Sequence, residues 1–423
     1  MKEHLKPILI LFLIVFIDLV GFGIVIPLLP FYAEHFQATP AMVGIVMATY
    51  SLAQFIAAPL WGRISDTIGR RPVFIMSLTG VVVSYVWLGL ADSLLTLIAA
   101  RALGGFMAGN ITAAFAYIAD VTAPEHRARG MGMIGAAFGL GFIAGPAIGG
   151  LLAGADAAAA DFQTPPFAAA GLSLAALILT VCFLKESLSP ESRAAAAHEP
   201  RSIIGQLIRN LRRPEIGFLI LLSFLATFVF AGMEATFAMW STRTHGWGPA
   251  QNGYLFAAVG ILIAGIQGGM IGPLTQRFGE APLIVSGAAI LAAGMCLIPF
   301  SDHLSVLALA MTLLAVGFSI LSPSLNSLIS LRSHATEQGA IMGATRSATT
   351  LSRVLGPIWA GMLFGVLGKD WPYWAGAVLM LAVAVLARRT LRYAPTPPPG
   401  AHSGTHPGAP PGTPSPAEKG PGE

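Results

Sequence analysis

GRISDTIGRR, Gly62 to Arg71, crowds three arginines and an aspartate into ten residues. Only 10% of the 423 residues are charged, so such a cluster between two apolar runs reads as a loop outside a membrane. GPLTQRFGE, Gly272 to Glu280, echoes it, with Gly272 lying 210 residues after Gly62. Two copies of one loop at that separation imply a chain built of two similar halves.

Outward from these loops, composition sets the class. Hydrophobic residues make up 55% of the chain and mean hydropathy is +0.73. A soluble domain carries about 25% charged residues. The chain is therefore expected to be an all-α polytopic membrane protein. A hydrocarbon core about 30 Å thick needs roughly 20 apolar residues per helix. Runs of that kind fall near 8–31, 41–61, 73–91, 94–119, 131–153 and 167–185, and again near 214–240, 251–272, 281–300, 304–330, 340–366 and 371–391. These make two six-span units, 1–186 and 214–392, joined by a linker, 187–213. Within the linker, Ile203 to Leu211 suits a basic amphipathic helix on a membrane surface. The tail, 393–423, is mostly Pro, Gly, Ser, Thr and Ala and lacks the apolar residues for a core.

With both termini in the cytoplasm, nineteen of the 24 lysines and arginines fall on the inner side. Only Arg243 and Lys369 fall outside, while Arg101, Arg346 and Arg353 lie within spans. That asymmetry obeys the positive-inside rule, so the net charge of +4 marks topology rather than nucleic acid. The first run is long enough to span and is followed by no small-residue cleavage site, so it reads as a span, not a leader. Cys182 and Cys296 both lie in apolar runs, which suggests neither a disulfide framework nor a metal site.

Charged groups inside the spans are the functional candidates, because a charge at mid-membrane costs at least about 2.5 kcal/mol unless it meets a cavity or a partner. Asp18 sits about ten residues into the first span and suits a proton carrier; the alternative is a structural carboxylate bonded to its neighbours. Arg101 in RALGGFMAGN, read from its position alone, snorkels to the surface or forms a structural ion pair. Glu234 lies in the outer third of the seventh span, and an arginine such as Arg353 is a candidate partner. Arg346 and Arg353, seven apart, share roughly one helix face. Gln54, Gln267, Asn326 and Tyr117 are candidate polar groups of a pocket, or helix–helix hydrogen bonds. In the opening stretch, Asp66 is expected near a helix N-terminus, where the dipole favours a carboxylate. Arg70 and Arg71 are expected to reach acids such as Asp120. The fifth span reads GAAFGLGFIAGPAIGG, whose small residues allow close backbone approach and whose proline bends the helix. RVLGPIWAG repeats it in the eleventh span, and Gly265 with Gly269 offers a small face opposite the fifth.

Gly62, Asp66, Gly69, Arg70 and Arg71 together resemble the loop between helices 2 and 3 of the major facilitator superfamily, a latch between halves. Arg101 with its glycines resembles the superfamily's helix-4 motif, tied to proton coupling. Gly145, Pro146, Gly149 and Gly150 resemble the antiporter signature of drug exporters. The whole chain is similar to the twelve-helix drug:proton antiporters, nearest the tetracycline exporters. That resemblance implies two bundles around a central cavity and alternating access. It also implies export of a lipophilic small molecule in exchange for protons, with a proton gradient in place of any cofactor. A monomer in the inner (plasma) membrane is expected, with a metabolite or sugar transporter, symporters included, as the alternative. No nucleophile motif, nucleotide loop or ligand cluster suggests an enzyme. The chain departs from tetracycline exporters at Ser84, Ile263 and Leu291, where they carry acidic, histidine and aspartate residues. This implies a lipophilic or weakly basic substrate rather than a metal-chelated one, with Glu234 and Asp18 as candidate counter-charges.

Overall fold

The computed structural model describes residues 2–122, 127–188, 214–334 and 337–392. Most of the linker and the whole tail, including the amphipathic stretch 203–211, lie outside the described residues. Twelve long helical segments fill the rest: α1 (Pro7–His35), α2 (Pro40–Ile68), α3 (Arg70–Gly89), α4 (Leu94–Val121), α5 (Gly130–Ala153), α6 (Thr164–Phe183), α7 (Pro214–His245), α8 (Pro249–Phe278), α9 (Glu280–Phe300), α10 (Leu304–Leu331), α11 (Gln338–Val366) and α12 (Trp371–Leu391). All but α11 are apolar and long enough to cross a membrane. The exception turns Thr345, Arg346, Ser347, Thr349 and Arg353 toward a central cavity, which explains its polarity.

Local chemistry starts these helices. Prolines open α2, α7 and α8, where a missing N–H costs nothing. Ser93 and Thr96 form a reciprocal cap at the start of α4: Thr96 N donates to Ser93 Oγ and Ser93 N to Thr96 Oγ1.

Residues 62–68 are not a loop. They form the last two turns of α2, which runs on beyond its apolar stretch, and Arg70 already begins α3. Gly69 alone breaks the helix, at φ +110°. Its counterpart Gly279, 210 residues on, breaks α8 from α9 in the same way at φ +77°. Charge density marks where a helix leaves the membrane, not where it ends.

The repeat extends to packing. Gly145 of α5 lies against the backbone of Gly23 in α1, and Gly356 of α11 against Phe228 and Gly232 in α7. Across the halves, the Pro146 carbonyl faces Gly253 of α8, and the Pro357 carbonyl faces Gly44 of α2. Two pseudo-equivalent crossings, α5 with α8 and α2 with α11, therefore join the bundles. The glycines of α8 that meet α5 are Gly253 and Gly260, rather than Gly265 and Gly269, which have nothing near them. Helical periodicity put several glycines in register; the crossing uses those nearer the start of α8, while Gly265 directly precedes and Gly269 lies within a π turn at Ile266–Met270.

Helix α4 is interrupted at Ala108 and Gly109. Ser77 of α3 donates to the Met107 carbonyl and accepts from Asn110 N at 3.0 Å, and Trp61 Nε1 donates to the Phe106 carbonyl at 2.5 Å. Side chains thus replace the helical bonds lost at the break, as a low-dielectric interior requires. Ser77→Ala takes the acceptor from Asn110 N and one of two donors from the Met107 carbonyl, which keeps Gly109 N, and is expected to cost about 1–2 kcal/mol. The lowered melting temperature of the purified protein in detergent reads that loss.

Candidate functional site

A cavity of about 2010 Å³ lies between the bundles. Gly62, Arg63, Asp66 and Gly339 line its mouth, so it opens on the face where α2 meets α3. Toward the opposite face the bundles close: besides the two glycine crossings, Ala250 N donates to the Gly154 carbonyl at 3.0 Å. Arg243 of α7 pairs with Glu34 of α1 at 2.8 Å and lies 4.8 Å from the Phe364 ring centroid. An exposed ion pair contributes roughly 0–1 kcal/mol, so backbone packing at the crossings, not this pair, carries most of the closure.

The break in α4 positions the first polar group of the cavity wall. Asn110, the first residue beyond it, donates from Nδ2 to Asp18 Oδ2 at 2.6 Å, and Ser173 Oγ donates to Asp18 Oδ1 at 3.3 Å. Asp18 is buried, borders the cavity and forms no ion pair among the described residues. One turn or more above the break, Arg101 is buried at 5% exposure with its guanidinium 4.6 Å from the Tyr50 ring centroid. Its Nε has no acceptor. Arg101 does not snorkel, and it forms no ion pair among the described residues.

The second half supplies Glu234 of α7 and Arg353 of α11, which pair loosely at 3.8 Å. Both border a recess of about 40 Å³ shared with Arg101, Tyr50 and Pro357, at the closed end of the cavity. Arg346, farther toward the mouth, lies 4.9 Å from the Phe115 ring centroid. Gln54 and Asn326 line the cavity, whereas Tyr117 is packed in the first bundle's core and Gln267 faces outward.

At the mouth, Arg70 gathers the acids: Nη1 pairs with Asp66 at 2.6 Å and Nε with Asp120 at 2.9 Å, and Nη1 also donates to Ser65 Oγ. Asp66 is not at a helix N-terminus but in the last turn of α2. The carboxylate at the start of α3 is Glu186, which accepts from Arg70 N and Arg71 N at 2.9 and 3.1 Å. Sequence reading missed it because Glu186 follows α6 at the edge of a polar linker and has no motif of its own. Arg71 does not reach Asp120; its Nη2 donates to the Val181 carbonyl. Among the described residues all these partners belong to the first half, so these contacts do not tie the two halves together.

Pro146 and Gly150 sit at the α5–α8 crossing, while Gly145 and Gly149 pack on α1 against Gly23 and Ile24. Of the three departures, Ser84 donates to the Ala100 carbonyl on the cavity wall, and Leu291 is core of the second bundle. Ile263 packs beside that core.

The sequence profile of the Major Facilitator Superfamily matches residues 11–357 and 268–418. The class C tetracycline resistance protein of Escherichia coli is 32% identical over 381 residues, covering 88% of this chain and 94% of that protein. Major facilitator superfamily domain-containing protein 10 of Mus musculus is 29% identical over 417 residues, covering 86% and 88%. The crystal structure of the human organic anion transporter MFSD10 (TETRAN) superposes with a TM-score of 0.68 at 27% identity, covering 91% of this chain and 99% of that one.

Proposed function

We propose, from the premise that this chain belongs to the major facilitator superfamily and is a multi-pass membrane transporter of small molecules rather than an enzyme, that it exports drug-like lipophilic molecules in exchange for protons. The observation that carries this reading is Asp18: a buried carboxylate with no cation of its own, held by Asn110 and Ser173 at the wall of a cavity open on one face. A carboxylate so placed is costly while charged and is suited to carry a proton. Among relatives, one is named for tetracycline resistance and another for organic anions, and both substrates fall within drug-like organic molecules. In the orientation set by the positive residues, the open mouth faces the cytoplasm, where an exporter loads. The protein acts as a monomer in the inner membrane, each bundle tilting against the other about the two glycine crossings.

The test is flux of a lipophilic dye panel in proteoliposomes with and without an imposed pH gradient. The gradient drives wild-type efflux, and Asp18→Asn reduces gradient-driven flux to the level of empty liposomes. Uptake with the proton, instead of against it, would make the chain a symporter. Normal coupling in Asp18→Asn would remove this residue from the proton path.

A further inference from the structure

The interior of the cavity holds more cation than its acids can neutralise. Asp18, Arg101, Arg346 and Arg353 line it, with Glu234 in the recess at its closed end. Asp18 spends both oxygens on Asn110 and Ser173. Among the described residues the one interior ion pair, Glu234 with Arg353, is long at 3.8 Å, and the Arg353 side chain keeps 42% of its surface exposed. Arg101 is the reverse: 5% exposed, without an ion pair, its Nε without an acceptor, and lying over the face of Tyr50. A buried guanidinium with unused donors is held at a cost that a bound anion would remove, and its planar fork fits a carboxylate or sulfonate through two parallel hydrogen bonds.

We infer that the closed end of the cavity is a binding site for the acidic group of an organic anion, which bridges Arg101 of the first half and Arg353 of the second. This rests on the reading of the central cavity as the substrate path. Both arginines border the same recess, one from each bundle. A carboxylate or sulfonate seated there takes Arg353 from Glu234, so Glu234 is the internal competitor for the substrate's charge. The apolar body of the molecule extends toward Phe142 and Phe318 on the cavity wall. Arg346, between the recess and the mouth, adds a further positive charge along the way in. Because the anion touches both bundles, binding also holds their closed ends together.

The experiment uses three compounds on one skeleton: 1-naphthaleneacetate, 1-naphthaleneacetamide and 1-naphthylmethylamine. Binding to the purified full chain is measured by calorimetry, and flux in proteoliposomes. The acetate is expected to bind at least about tenfold more tightly than the amide, in line with a charge-assisted bidentate contact. Arg353→Gln and Arg101→Gln weaken the acetate far more than the amide and remove the difference in affinity between the two. Glu234→Gln, by removing the competitor, tightens the acetate several-fold without changing the amide; this variant keeps size and hydrogen bonding, so a gain cannot come from misfolding. Equal binding of acetate and amide, preference for the amine, absence of binding by all three, or weaker acetate binding in Glu234→Gln overturns the site. Proton-driven flux of the amide or amine without charge discrimination would overturn this site while leaving the transport reading intact. Acetate binding with the expected variant pattern but no flux would uphold the site and count against that reading.

Discussion

Gly44→Ile will cut transport by about a hundredfold and open the closed face of the protein. A Cβ at Gly44 runs into the Pro357 carbonyl and the Ile358 Cα, which are backbone atoms of α11 in the other bundle. Backbone at a helix crossing does not swing aside as a side-chain tip does. Overpacking of this kind costs about 1–3 kcal/mol, and each 1.4 kcal/mol moves a two-state equilibrium about tenfold. Isoleucine adds three more carbons beyond Cβ, which puts the effect at the upper end. Gly171→Ile, on a surface with nothing near it, serves as the control. The readout is a single cysteine at Ser51, which lines the cavity, with Cys182 and Cys296 replaced. A membrane-impermeant maleimide reaches it from the mouth in the parent protein and from the opposite face in Gly44→Ile. Unchanged labelling would mean that the α2–α11 crossing is not what holds that face shut.

The second large effect comes from comparing the two helix breaks. Gly69 (φ +110°, ψ 168°) and Gly279 (φ +77°, ψ 167°) occupy a backbone region that alanine enters only at about 1–3 kcal/mol. Alanine at either position carries that strain. Only at Gly69 does the new methyl also meet the Glu186 carboxylate, which would have to leave the amides of Arg70 and Arg71. At Gly279 nothing lies within contact distance. Gly69→Ala therefore lowers the melting temperature more than Gly279→Ala and alone impairs flux. The difference between the variants isolates the Glu186 contact, because the backbone term is common to both. Equal losses would assign the whole effect to backbone strain.

The architecture was readable because a bilayer leaves few choices: every backbone polar group must be satisfied within a helix, so long apolar runs become spans. The limits of that logic lie where helices leave the apolar layer. Residues 62–68 looked like a loop because charge, not helix propensity, was the signal being read. In the site, Asp18, Arg101, Glu234 and Arg353 stood out because each is an ionisable group in an apolar run. Their partners were harder to see. Glu186 and Ser77 lie 116 and 33 residues from the backbone groups they serve at Arg70 and Asn110. Nothing in local spacing links them. The glycines of α8 show the same limit, since periodicity lists several faces and only a neighbouring backbone selects one.

The polarity of α11 has a consequence for how the protein is made. A helix with arginines at 346 and 353 enters a bilayer poorly on its own, since an arginine at a helix centre costs about 2.5–3.5 kcal/mol on the scale that governs insertion during synthesis. In the finished molecule those arginines face a water-accessible cavity formed jointly with α2, α4 and α7. That shelter is complete only when the first bundle is already in place. Between α10 and α12, both apolar enough to span, the eleventh segment is expected to enter the bilayer with its neighbours and to gain its hydrophilic surroundings afterwards. An ordered biogenesis is therefore expected, with the amino-terminal bundle acting as the template on which the most polar part of the carboxy-terminal bundle settles.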